Sequence, residues 1–261
     1  MKLLRLVTCV TLLFHCPTSF ISAAEWGDVK LRFIVAARPK DEGPIKVEKD
    51  NAVCGHSTPR TSPIVSDDNE LANVMLWIMP DEAQPLEAHP DYAKDEAAKV
   101  EMKIQKCAFQ PHIAFVRIGQ TFLIRNDDRV GHYAKVDFLA NATYGAIIPN
   151  SAVQTFDPKQ VKKLEKRPIP ISCTIHPWMT AWVLVQDHPY MTASDAKGEA
   201  TLQKVPVGKH RIRVWHDTAF NLSPRNTVDA RDKPVTWEKG IAEFEVLPGE
   251  NDFGTFTVKL D

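Results

Sequence analysis

The stretch "IPISCTIHPWMTAWVLVQ" (residues 169–186) sets the reading of the whole chain. "IPISC" and "TAWVLVQ" are short runs rich in β-branched and aromatic residues, and they read as two strands. Between them, "CTIHPWM" places Cys173, His176 and Met179 at spacings of three and three. Those spacings allow a thiol, an imidazole and a thioether to point at one ion. Pro177 stiffens the turn and removes a backbone donor. Two imidazoles and a thiolate in a plane, with a weak axial methionine, form the blue-copper type of centre, in which sulfur suits Cu(I) and imidazole tolerates Cu(II).

A second histidine is needed, and "FLIRNDDRVGHYAK" (122–135) offers one. A strand ends there at Asn126, a polar turn follows, and His132 comes six residues later. Asn126 is expected to hydrogen-bond across to the 173–179 loop. Trp178, beside His176, is expected near the surface.

The N-terminus bears on the compartment. Lys2 and Arg5 precede an apolar run from Leu3 to Phe14, and Ser22-Ala23-Ala24 resembles a cleavage site. Residues 1–24 therefore read as a cleaved secretory signal peptide, with a secreted or periplasmic mature chain. A lipoprotein reading through Cys16 is weaker, because bulky His15 sits where a small residue is wanted. Cleavage removes two of the 32 basic residues, so the 33 acidic ones predominate, and no nucleic-acid footprint is present. Cys9 and Cys16 leave with the leader, and Cys54, Cys107 and Cys173 remain. An odd count in an oxidising compartment leaves one thiol to explain. The economical partition is a Cys54–Cys107 disulfide with Cys173 free. The alternative pairs Cys173 with one of the other two.

Outward from the motif, the pattern is nearly all β. "DVKLRFIV" (28–35), "LANVMLWIM" (71–79), "VEMKIQ" (100–105) and "AFVRIGQTFLIRN" (114–126) read as strands. Residues 36–70 and 80–99 read as polar insertions. Asp157-Pro158 reads as a helix start, followed by the basic helix "KQVKKLEK". That face is a candidate docking patch for an acidic redox partner. After Gln186, strands alternate with turns at Asp195–Gly198, Pro206–Gly208 and Pro248-Gly249. His112 is expected to pack near the disulfide, and His210 and His216 to share a strand face. The chain contains no Gly-x-Ser-x-Gly and no His-x-His pair, so neither a serine hydrolase nor a multicopper oxidase is indicated, and a non-enzyme is expected.

"CTIHPWM" and "IRNDDRVGH" together resemble the ligand loops of the cupredoxin family, of the amicyanin, pseudoazurin and plastocyanin-like blue-copper kind. The tail "TASDAKGEATLQKVPVGKHRIRVWHD" is similar to a carboxypeptidase-regulatory or transthyretin-like β unit, and the whole resembles exported bacterial methylamine-utilisation-type proteins. The resemblance implies a cupredoxin-like Greek-key β-sandwich over residues 25–187, with 28–35 and 71–79 among its earlier strands. A small transthyretin- or Ig-like unit over 188–261 would follow it. The implied copper ligands are His132, Cys173, His176 and Met179, with His176 the exposed one and Trp178 part of an apolar docking rim. The implied activity is one-electron transfer by one type 1 copper. A surface binding module and a copper storage or delivery protein are the competing functions. The tail is expected to supply no ligand and to pack against the copper domain.

Overall fold

The computed structural model describes residues 25–40, 43–58, 62–79, 86–157 and 159–260. The expected signal peptide, Pro158 and part of the 80–99 insertion lie outside the described residues. Two β-sandwiches make up the fold, and one is inserted into the other.

The inserted sandwich spans residues 99–186. One sheet orders its strands as Tyr144–Ile148, His132–Val136, Ile169–Cys173, Thr180–Gln186 and Ile113–Arg117. The facing sheet orders Val153–Phe156, Thr121–Asn126, Lys99–Gln105 and Ala108–Gln110. Period-two alternation turns Phe122 and Ile124, and Val136 and Ala134, into the shared core.

The flanking sandwich corrects the expected layout. Trp26–Val35 alternates strictly, burying Val29, Leu31, Phe33 and Val35. Its neighbours, however, are Glu199–Pro206 on one side and Gly249–Val258 on the other. Met75–Ile78 pairs with Met191–Ala193 and with Gly208–His216. Residues 28–35 and 71–79 therefore build the C-terminal sandwich and not the one holding Cys173. The physical reason is that alternation specifies which face of a strand is buried but not which strand lies beside it. Gly198 helps fix the arrangement. It has φ 72°, and a Cβ there would lie 2.1 Å from the carbonyl oxygen of Phe33. Only glycine allows that approach.

The two sandwiches meet through strands that are apolar on both faces. In Thr180–Gln186, Ala181, Val183 and Val185 face the inserted core, whereas Leu184 joins Met75, Trp77, Ile113 and Trp215 in a separate cluster. In Met75–Ile78, Leu76 and Ile78 face the flanking core. A strand covered on both sides reads as a continuous apolar run, and "MLWI" and "AWVLV" do so for this reason. Trp182 packs edge-on against Trp215 with ring centroids 4.8 Å apart. The part-buried Asp217 carboxylate accepts from His112 Nε2 at 2.8 Å, Trp182 Nε1 at 3.3 Å and the Ser62 hydroxyl. His112 thus pairs with Asp217 across the junction and not with the disulfide.

Two further expectations are corrected. No helix follows Asp157 among the described residues. Its carboxylate instead accepts from Lys159 N and Gln160 N in a local turn. Val161 is drawn into the core, and buried Glu165 accepts backbone N–H bonds from Leu139, Ala140 and Asn141. Those inward demands override helical periodicity. The 36–70 segment, expected as a polar loop, carries structure of its own. It holds the hairpin Ile45–Lys46 with Ser57–Thr58 and the single turn Asn51–Cys54, and it sends Val47 and Cys54 into the inserted core.

Candidate metal centre

His132 opens the strand His132–Val136, and Cys173 closes the adjacent strand Ile169–Cys173, paired in register with Ala134. Neighbouring strands thus bring the two side chains to one end of the sheet. The 173–179 loop closes on itself: Met179 N–H donates to the His176 carbonyl at 2.9 Å, and Cys173 N–H donates to the Met179 carbonyl at 3.2 Å. This turn folds His176 back over Cys173.

His132 Nδ1 lies 3.0 Å from His176 Nδ1 and 4.0 Å from Cys173 Sγ, and Cys173 Sγ lies 3.7 Å from His176 Nδ1. His132 and His176 are fully buried and Cys173 is 2 % exposed. Each imidazole has a carboxylate on its far nitrogen. His132 Nε2 bonds Asp128 Oδ2 at 3.0 Å, and His176 Nε2 bonds Asp50 Oδ2 at 2.8 Å. A carboxylate only accepts, so both Nε2 atoms carry the hydrogen. In neutral rings the Nδ1 lone pairs then face each other across 3.0 Å beside the sulfur. Three inward-aimed donors repel one another unless a proton or cation lies between them. A point equidistant from the three lies about 2.1 Å from each, close to the bond lengths of about 2.0–2.1 Å for metal–nitrogen and 2.3 Å for metal–sulfur. The donor set therefore fits a metal ion.

Titration follows the same contacts. Burial pushes the Cys173 thiol up, but the His132 hydrogen bond and the backbone N–H groups of His176, Tyr133 and Ile175 bring it below the ordinary thiol range. Burial would lower His132, yet its bonds to Asp128 and Cys173 raise it. His176 is lowered, first by burial, against the pull of Asp50. Burial raises Asp128, but the bonds from His132, Cys107 N and Lys106 N outweigh it and hold the carboxyl low.

Met179 is buried in the core beside the loop. His176 is not the exposed ligand that the resemblance implied, because the 43–58 segment covers its outer edge through Asp50. Trp178 is half-buried, its ring centroid 5.1 Å from that of His176, and it donates to the Cys107 carbonyl at 3.2 Å. Asn126 does not reach across to the 173–179 loop. It ties its own turn, donating to the carbonyls of Val130, Ile148 and Pro149 and accepting from Asp128 N. Pro177 is exposed on the loop.

Cys54 and Cys107 form a disulfide, and Cys173 is free. Of the tail histidines, His210 bonds the Pro206 carbonyl and His216 lies beside Asp217, so neither joins the centre. Asp50 and Asp128 went unread in the sequence. Asp128 lies four residues before His132, a spacing that could have flagged it, whereas nothing local marks Asp50.

No family model and no curated protein matches the sequence. Among solved structures the chain is similar to an amicyanin from Paracoccus versutus, at 19% identity and a TM-score of 0.28, covering 42% of this chain and 96% of that one. It is similar to a purple cupredoxin from Nitrosopumilus maritimus, at 16% identity and TM-score 0.26, covering 33% of this chain and 97% of that one. It is also similar to a copper-containing nitrite reductase from Thermus scotoductus, at 18% identity and TM-score 0.28, covering 41% of this chain and only 25% of that one.

Proposed function

We propose that this is an exported one-electron carrier holding one type 1 copper, with His132, Cys173 and His176 as equatorial ligands and Met179 as the axial one. The observation that carries the reading is the buried triangle of two Nδ1 atoms and one thiol. Two imidazoles and a thiolate are the donor set that accommodates both copper oxidation states. Copper bound there would supply a one-electron couple. The protein would supply rigidity: both rings are held from behind by carboxylates, and the loop is closed by backbone bonds, so the donors need not move when charge changes. Full burial of the donors favours a retained ion over a delivered one.

A disulfide beside a free, buried cysteine supports an oxidising compartment, in keeping with the leader-like residues 1–24. Lys159, Lys162, Lys163, Lys166 and Arg167 stay exposed without a helix. They would offer an acidic redox partner a positive face, which speeds encounter more than it strengthens binding.

Adding Cu(II) to the purified chain and recording its visible spectrum is the test. An intense thiolate-to-copper band is expected, lost in Cys173→Ala and kept in Met179→Leu with a shifted potential. A wild-type protein that stays colourless, or a Cys173→Ala protein that stays coloured, ends the reading. A chelator should remove the ion slowly.

A further inference from the structure

Asp50 belongs to neither sheet of the inserted sandwich. It stands at the N-cap position of the turn Asn51–Cys54, where an aspartate ordinarily accepts a backbone N–H of its own helix. Here it makes no such bond. Its backbone carbonyl accepts from Val53 N and Cys54 N, each at 2.9 Å, while its carboxylate turns away and meets His176 Nε2 at 2.8 Å. Its backbone is in the left-handed region, with φ 55° and ψ 36°. The Cys54–Cys107 disulfide pins this turn to the sandwich. Cys107 N–H donates to Asp128, which holds the other histidine from its far side. One covalent bridge therefore ties together the two segments that back the two rings.

We infer that Asp50 is a positioning residue for His176. By accepting the Nε2 hydrogen it fixes the tautomer and rotation of the ring, so that Nδ1 presents its lone pair to His132 and Cys173. Its significance for metal binding rests on the copper reading; the hydrogen bond does not. A carboxylate behind a ligating imidazole orients the ring and makes it a stronger donor, and removing such a partner ordinarily weakens metal binding about 10–100-fold. The same contact covers the outer edge of His176, and half-buried Trp178 packs against that ring as well.

The experiment compares wild type with Asp50→Gly and Asp50→Asn. Glycine and asparagine both tolerate the left-handed backbone of this position, and no cap bond is lost, so folding is preserved. Asparagine retains an acceptor oxygen without the charge. Long-range proton–nitrogen spectra of the metal-free protein read the imidazole tautomers directly, and Co(II) titration reads the affinity. Wild type should show His176 as a single Nε2–H tautomer. Asp50→Gly should show mixed tautomers and a Co(II) affinity lower by about 10–100-fold. Asp50→Asn should restore the tautomer and part of the affinity. A single unchanged tautomer in Asp50→Gly, or an unchanged affinity, overturns the inference. If wild type binds no Co(II) and no Cu(II), the metal reading fails, and the tautomer spectra alone still decide the role of Asp50.

Discussion

His188 sits where the chain passes from the inserted sandwich back into the flanking one. It is buried, donates from Nε2 to the Ile78 carbonyl at 2.9 Å, and accepts the Tyr190 N–H on Nδ1 at 3.2 Å. Both nitrogens are satisfied only in the neutral ring. A proton on Nδ1 would face the Tyr190 N–H. Burial accordingly pushes the pKa down to about 4. The unfolded value is about 6.5. Between the two, the unfolded chain binds a proton that the folded chain refuses, so stability falls as pH drops through that window. The wild type should lose about 2 kcal/mol from this group between pH 7.5 and 5, and His188→Gln should lack that increment. Urea midpoints at the two pH values check it, and identical pH dependence in both proteins would refute it. At this scale the centre was partly legible. His132, Cys173 and His176 stand out because ligation demands particular side chains at loop spacings. Asp50 does not, because an acceptor delivered by tertiary folding leaves no spacing to read, and its polar neighbourhood looks like any solvated loop.

At the scale of elements, the disulfide closes a separation of 53 residues. The chain-entropy model assigns such a loop about 4 kcal/mol. The Cys54→Ala/Cys107→Ala protein should therefore be less stable by about that much. It should also bind Co(II) more weakly, because the turn bearing Asp50 is no longer held. Denaturant unfolding and metal titration measure the two effects separately, and wild-type Co(II) affinity in the double variant would break the link between bridge and ring. Many strands are legible as strands, although Tyr144–Ile148 and Val153–Phe156 are not. Ile169–Cys173, Thr180–Gln186 and Trp26–Val35 all appear where alternation or apolar runs placed them. What failed was partnership. Nothing in "DVKLRFIV" says that its neighbours begin at Glu199 and Gly249, since ladder hydrogen bonds are backbone bonds common to every sequence. The helix after Asp157 failed differently. Five basic residues suggested an exposed face, but buried Glu165 and Val161 anchor the segment as a loop.

Over the whole molecule, the insertion changes what a truncation means. A chain ending at Asp187 keeps Trp26–Val35 and Met75–Ile78 while losing every strand beside them. Unpaired apolar strand edges aggregate. Residues 25–187 alone should be insoluble, and co-expression with 188–261 as a separate chain should recover soluble protein. A soluble monomeric 25–187 fragment would show that the flanking strands find other cover. The interlocked sheets also set how the molecule bears load. Trp26–Val35 and Gly249–Val258 run parallel, registered from Gly27 opposite Gly249 to Val35 opposite Val258. Tension between the start of the first strand and the end of the second slides one along the other, so the ladder is sheared and its bonds must give way together. Trp26 and Pro206 lie opposite each other in an antiparallel pair, and tension between those two would peel the ladder bond by bond. Forced unfolding reports the barrier along the pulled direction. Single-molecule pulling through residues 25 and 260 should thus show a higher rupture force than pulling through 26 and 206, making the seam between the first and last strands the mechanical clasp of the protein.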